Sequence, residues 1–415
     1  MEIKSKINNF LLWSEKYIQT DMVYLAKGGF WLTSGQIISV GITLLLSIAF
    51  ANLLPPATYG VYKFLLSIVG ILTVFTLHGI NSAVTQAVAQ GYEGSLISGL
   101  KSKLRWGSLG SLAALGIFLY YFLRDNDTLA SGFLIAALFV PFFETLTIYF
   151  SYLTGKKAFK SSAKYKIMGD AVLALILISV LFITKNPLLI LFVYLAITTI
   201  SRFVFLKLTL KNFPPNKEEN PQTIPYGKHL SLMGVIKVVA GNLDSILIWH
   251  FLNPISLAVY NFALLPVLQI SATLQNLSAL ALPKFSTAAE GEIKSRIFNK
   301  TIRFSLFLMP FVLGYMIFAP LLYKLIFPQY SDSVFYSQIF ALSILLAPSI
   351  LLSTFLQAKM KTKQLYLLQL LTPLSQIVFL LILLPAFGIT GAVFSLLCAQ
   401  IFNFILATIL IKTSF

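Results

Sequence analysis

The chain has 415 residues, of which 57% are apolar and 11% charged, with a net charge of +17 and a mean hydropathy of +0.84. Uncharged runs at 28–62, 245–283 and 364–411 exclude a soluble domain and predict bilayer-crossing helices, each of which needs roughly 20 apolar residues. The basic excess lies in loops that face anionic lipid, so no nucleic-acid partner is expected.

Residues 1–27 read as an amphipathic helix on the membrane surface, with Ile7, Phe10, Leu11, Tyr17 and Ile18 opposing Lys4, Lys6, Glu15 and Lys16. Charges at Glu2, Lys4 and Lys6 argue against a cleavable signal peptide. Twelve spans follow, near 29–52, 58–80, 104–123, 129–152, 166–184, 187–208, 229–252, 256–282, 304–323, 334–357, 364–384 and 389–411. The fold class is therefore an all-α integral membrane protein, without the short alternating segments of a membrane barrel.

Between the sixth and seventh spans, Lys211–Lys228 carries four prolines and mixed charges and reads as an irregular cytoplasmic linker. It separates an N-terminal six-helix bundle, 28–210, from a C-terminal one, 229–415. The halves are related in sequence. LPPATYGVYKF at Leu54–Phe64 returns 198 positions later as LNPISLAVYNF at Leu252–Phe262, and Tyr152–Lys156 resembles Phe355–Lys359 at an offset of 203. Six spans per half keep the same orientation in both copies. The bundles should then relate by a pseudo-two-fold along the membrane normal, around a central cavity, as in transporters. Segments on the N-terminal side hold 25 of the 31 basic residues, which places both termini in the cytoplasm.

Ionisable groups inside spans are expensive and each needs a reason. Lys63, Glu144, Lys237 and Asp244 are the candidates, with Arg202, Asp170 and His78 weaker: Arg202 and Asp170 lie within a turn or two of the cytoplasmic surface and can reach headgroups, and His78 lies near the inner end of span two. Lys237 and Asp244 share one face of span seven with Gly234 and Gly241, a face that either packs tightly or lines a wet cavity. Glu144 follows Pro141 by three residues, and Thr147 and Ser151 continue its face. Span one carries a polar stripe of Gln36, Ser39, Thr43 and Ser47, and span eight carries Gln269, Thr273 and Asn276. Such faces hydrogen-bond either a neighbouring helix or a polyhydroxylated or phosphorylated ligand.

No phosphate-binding loop, metal-ligand cluster or nucleophile elbow is present, and Cys398 is the single cysteine. An enzyme is not expected and neither is a cofactor, although a coupling ion, H+ or Na+, stays open.

Three stretches carry a family resemblance: LPPATYGVY at the second span, NLDSILIWHFLNPISLAVYNFA at 242–263 and ALPKFSTAAEGE at 281–292. The chain resembles the oligosaccharide flippases of the multidrug/oligosaccharidyl-lipid/polysaccharide exporter superfamily, in its O-antigen and repeat-unit translocase branch. The resemblance implies two six-helix bundles in a V around a cavity that admits the sugar–diphosphate headgroup of an isoprenoid-linked oligosaccharide. The first span lacks the aspartate often found in the multidrug branch, and twelve spans differ from the fourteen usual for lipid II flippases.

The expected function is translocation of undecaprenyl-diphosphate-linked oligosaccharide repeat units to the outer leaflet of a bacterial cytoplasmic membrane by alternating access. Lys63, Arg202 and Lys237, with Gln36 and Asn276, are the expected substrate contacts, and Glu144 and Asp244 serve coupling or charge pairing. Membrane lipids and glycan-assembly proteins such as a polymerase are the expected partners. A cation-coupled multidrug exporter of the same fold is the alternative. A membrane polymerase or ligase is disfavoured by the short outward turns.

Overall fold

The computed structural model is helical throughout and describes residues 22–275, 285 and 290–413. The surface helix expected over 1–27 falls, up to residue 21, outside the described residues. The N-terminal elements are α1 (Met22–Leu53), α2 (Pro56–Leu72), α3 (Gly79–Ala89), α4 (Ser95–Phe122), α5 (Asp127–Phe143), α6 (Ile148–Gly155), α7 (Phe159–Ile183), α8 (Pro187–Asn212) and α9 (Thr223–Phe251). They are followed by α10 (Pro254–Gln275), α11 (Glu290–Ile326), α12 (Ser333–Ala341), α13 (Ser343–Leu346), α14 (Ile350–Ala358) and α15 (Thr362–Thr413).

Ten described segments are long and apolar enough to cross a membrane. Within α15, Gly388 takes φ 59° and ψ −138°, so this helix is two spans joined at the turn expected from the sequence. Helix α4 is also long enough at 28 residues, but Lys101, Lys103 and Arg105 in its first half lower its hydropathy. Counting α15 twice and adding α4 to the ten gives twelve spans.

Local structure repeats with the sequence. A 3-10 turn at Thr145–Thr147 breaks span four, and a second at Ala347–Ser349 breaks span ten, 202 positions on. Helices α6 and α14 then begin at Ile148 and Ile350, again 202 apart.

Besides span ten, spans two and four, both expected to be continuous, are broken in the first unit. In span two the hydroxyls of Thr73 and Thr76 bond back to the oxygens of Gly70 and Thr73, at 2.6 and 2.7 Å. Such side chains compete with the helix ladder. A 3-10 turn covers Thr73–Thr76, Leu77 takes φ 54°, and α3 starts afresh at Gly79. In span four the cause is Pro141, which has no N–H for the Ala137 oxygen. Ser111 of α4 donates to that oxygen instead, at 2.6 Å.

Packing divides the chain into two compact units, one of Ile38–Val259 with Phe327–Gln329, the other of the described parts of Met1–Ile37, Tyr260–Ile326 and Tyr330–Phe415. This division differs from the one at 211–228, because α9 packs on α2 and α3 inside the first unit. Glycines permit the close crossing: a Cβ on Gly79 would lie 2.4 Å from the Ser231 nitrogen, and one on Gly227 2.8 Å from Ile80. The Gly79 N–H donates to Ser231 Oγ across this contact at 3.0 Å. The segment before α9 is irregular, as its prolines dictate, yet it is bonded to the turn between α3 and α4. Asn216 and Glu93 exchange main-chain-to-side-chain bonds at 3.1 and 3.2 Å, and Gly94 donates to the Glu218 oxygen at 2.9 Å.

The first unit's core joins Ile80, Val84, Ile148, Tyr152, Tyr165 and Phe205. In the second unit, Ile297, Phe355, Leu368 and Ile411 form a separate core, and the Tyr323 hydroxyl donates to the Phe262 oxygen at 2.8 Å.

Candidate functional site

The Pro141 break sets out the chemistry of the first unit. Thr147 N donates to the Glu144 oxygen at 3.3 Å, a 3-10 bond, so the Phe143 oxygen loses its helical donor. The Arg202 guanidinium of α8 donates to that freed oxygen through Nη1. The same Nη1 stands 3.3 Å from Glu144 Oε2, and the guanidinium lies 4.6 Å from the centroid of the Phe143 ring. His78, at the break in span two, places Nδ1 3.8 Å from Glu144 Oε1 and Nε2 3.0 Å from Thr73 Oγ1.

A second cation reaches the break from α4. Lys103 is fully buried, and its Nζ donates to Asn81 Oδ1 at 2.7 Å and to the Glu144 oxygen at 3.2 Å. Asn81 Nδ2 in turn donates to Thr147 Oγ1 at 3.1 Å, and Thr147 donates to the Glu144 oxygen at 2.7 Å. Lys103 thus ties the two broken helices together. In sequence it reads as a loop residue ahead of span three, because charges near span ends are normally solvated. The available signal was its register: Gly99, Lys103, Gly107, Gly110 and Ala114 form one buried stripe on α4, and a lysine within a stripe of small residues cannot face water.

Beside this cluster lies a cavity of ≈ 440 Å³. Glu144, Asp170, Lys166 and Arg202 supply its charges, and Lys166 pairs with Asp170 at 3.1 Å. Asn81, Thr147, Ser151, Thr198 and Ser201 supply amide and hydroxyl groups, and Tyr149, Tyr165 and Tyr194 supply rings. The volume lies within the roughly 300–1,000 Å³ of small-molecule sites. A guanidinium has five N–H donors. Those of Arg202 Nε and Nη2 have no partner among the described residues, nor does the Thr198 hydroxyl.

The structure thus brings Glu144 and Arg202 together and adds His78, Asp170 and Lys103. Lys63 of α2 lies within electrostatic reach of Asp244 of α9, and its Nζ stands 6.0 Å from the centroid of the Tyr59 ring. Asp244 is buried, and its Oδ1 accepts from the Ser245 N–H at 2.7 Å. Lys237 lies exposed on α9, and no described atom lies within 4 Å of a Cβ on Gly234 or Gly241. That face is open, and α9 packs tightly through Gly227 instead. Gln36 is half-buried on α1, within the other compact unit, and Asn276 falls outside the described residues.

An all-helical chain with about twelve apolar spans among its described residues, two of them broken beside a polar cavity, is a multi-pass membrane protein. Solved membrane transporters share its fold. An outward-facing multidrug resistance MATE family transporter of the MOP superfamily superposes with a TM-score of 0.65 at 12% identity, covering 94% of this chain and 96% of that one. An inward-facing MATE transporter gives 0.61 at 14% identity, covering 93% and 98%. A MOP superfamily transporter from Pyrococcus furiosus, described as having a binding pocket of reverse polarity, gives 0.59 at 12% identity, covering 94% and 96%. Comparison with curated proteins gave no match. The chain belongs to the polysaccharide biosynthesis protein family, whose model matches residues 25–289.

Proposed function

We propose that the chain is a flippase that carries undecaprenyl-diphosphate-linked oligosaccharide repeat units from the inner to the outer leaflet of a bacterial cytoplasmic membrane by alternating access. Its products would feed O-antigen, capsule or exopolysaccharide assembly, alongside a polymerase. The observation that carries this reading is Arg202: its position is fixed by Glu144 and Phe143, while two of its donor nitrogens stay unspent at a cavity lined with hydroxyls and tyrosines. A diphosphate offers paired oxygens to that fork, and a low local dielectric strengthens the attraction. Hydroxyl and amide groups suit the sugars, and membership of a polysaccharide biosynthesis family supports a glycan cargo.

In this reading Arg202 contacts the phosphates. Lys63 acts with Asp244, whose carboxylate lies within electrostatic reach on α9, and Lys237, Gln36 and Asn276 remain candidate contacts. The test is complementation of a strain lacking its own repeat-unit flippase. Wild-type chain should restore surface glycan, and Arg202→Ala should leave lipid-linked precursor at the inner leaflet. Full surface glycan from Arg202→Ala would remove the site from the mechanism.

A cation-coupled multidrug exporter is the second reading, favoured by the Glu144 and Asp170 carboxylates in the cavity lining. Both carboxylates already face cations, Arg202 and Lys166, which leaves little negative charge for a cationic drug. Ethidium efflux that depends on Glu144, without any effect on surface glycan, would favour this reading over the first.

A further inference from the structure

A second cavity of ≈ 450 Å³ lies between the end of α3 and the start of α9. Ala83, Gln86, Ala87 and Gln90 fall at i, i+3, i+4 and i+7, so they form one face of α3. The alanines make a low floor and the glutamines stand along its rim. Asn220, Gln222 and Tyr226 form the opposite wall.

The walls are fixed. The α3–α9 crossing at Gly79 and Gly227 closes one end. The other wall is held where the Asn220 N–H donates to Ser95 Oγ at 3.2 Å and the Gln222 N–H donates to Asn220 Oδ1 at 2.9 Å. Yet the side-chain amides of Gln86, Gln90 and Gln222 have no partner among the described residues. No lining residue is charged, although Lys217, Glu218, Glu219 and Lys228 all lie nearby in sequence. Lys228 lies over the Trp106 ring, 5.3 Å from its centroid.

Carboxamides present a donor and an acceptor side by side, which matches two neighbouring hydroxyls, and a tyrosine offers a ring for an apolar sugar face. A site that excludes charge in a basic protein selects against phosphates and for neutral groups. We propose that this groove is a recognition site for uncharged sugar residues, separate from the Arg202 cavity. The two cavities lie on different sides of α3, since Asn81 faces the Arg202 cavity and the Ala83–Gln90 face is turned roughly 180° from it. The proposal rests on the flippase reading and deepens it: the Arg202 cavity takes the phosphates and the sugars beside them, and the groove reads uncharged sugars farther along the headgroup. The basic-residue asymmetry puts the groove on the cytoplasmic side, where a headgroup would be met before translocation.

The test uses the full chain in nanodiscs with maltotriose and chitotriose as probes, read by saturation-transfer NMR. Wild-type chain should transfer saturation to the ring protons of at least one trisaccharide. The doubly substituted Gln86→Ala, Gln90→Ala chain should lose roughly fivefold or more of that signal, as expected for losing an amide hydrogen bond. Arg202→Ala should keep it, and inorganic pyrophosphate should not compete. A melting curve unchanged from wild type shows that the doubly substituted chain is folded, and Gln222→Ala supplies an independent check on the other wall.

No transfer to either probe, or equal transfer in the groove variants, overturns the proposal. Failure here is distinguishable from failure of the flippase reading. Surface glycan restored by a chain that binds neither trisaccharide ends the groove alone. Trisaccharide bound through the glutamines by a chain that restores no glycan ends the flippase reading alone.

Discussion

Arg202 donates to the main-chain oxygen of Phe143, a carbonyl left without its helical donor when the chain turns into a 3-10 segment after Pro141. One guanidinium thereby repairs a broken helix and pairs with Glu144 at 3.3 Å. The break and the charge are a single arrangement: a carboxylate and a freed carbonyl give a half-buried cation two partners.

Glu144→Gln should therefore weaken the hold on Arg202 without removing it, since the Phe143 oxygen remains. Surface glycan should fall less than in Arg202→Ala, at equal protein level. Arg202→Lys should recover only part of the function, because an ammonium cannot donate as a planar fork. Equal function in Arg202→Lys and wild type would show that fork geometry is unimportant.

Lys103→Met keeps the length of the side chain but removes its donors. Asn81 Oδ1 would lose its donor, at about 1–3 kcal/mol for an acceptor left unsatisfied, whereas the Glu144 oxygen keeps the Thr147 N–H and hydroxyl. The melting temperature of the purified chain should drop and export should fall with it. Because Lys103 acts through Asn81, the Lys103→Met, Asn81→Ala pair should be clearly non-additive in a double-mutant cycle. Additive losses would mean that Lys103 does not work through Asn81.

Lys63 and Asp244 lie on α2 and α9, whose packing builds the first unit. Each single reversal, Lys63→Asp or Asp244→Lys, leaves like charges facing each other inside a span and should sharply reduce folded protein. The double reversal should restore a measurable part, because opposite charges again face one another. Detergent-solubilised yield on a sizing column reads the outcome, and a double variant no better than the singles would dissolve the pair.

Glu93 lies outside the spans, in the turn between α3 and α4. Burial pushes its carboxyl upward, but the Lys156 ammonium at 2.5 Å, the Asn216 N–H and the Tyr152 hydroxyl hold it below its ordinary 4.5. A depressed carboxyl contributes stability above its unfolded value and loses it as pH falls through the folded value. Hydrogen exchange at 213–222 should therefore be faster in Glu93→Gln than in wild type at pH 7. That difference should close in acid, as pH falls through the lowered pKa of Glu93 and the carboxyl becomes protonated. A difference unchanged by acid would exclude the carboxylate as the linker's anchor.

Much of the architecture was legible without coordinates, because membrane spans are written in long apolar runs and the repeat in matched offsets. The Pro385–Gly388 turn, the prolines ahead of α9 and the cost of Glu144 and Arg202 inside spans all follow from local chemistry. The break at Leu77 was not legible, because two threonines and a leucine occur in many unbroken helices. Lys103 was hidden for a related reason: its distance along the chain from span three looked like distance from the core.

Sequence alone determined that this is a doubled, many-spanning membrane protein with charges that need partners. Tertiary structure decided which partners. It gave Arg202 to Glu144 and Phe143, brought Lys63 within electrostatic reach of Asp244, and joined α9 to the first unit. Apolar length and periodicity act along one helix and can be read one helix at a time. The pairing of a buried charge depends on which residues of separate helices arrive at the same depth and face, and only the packed chain fixes that.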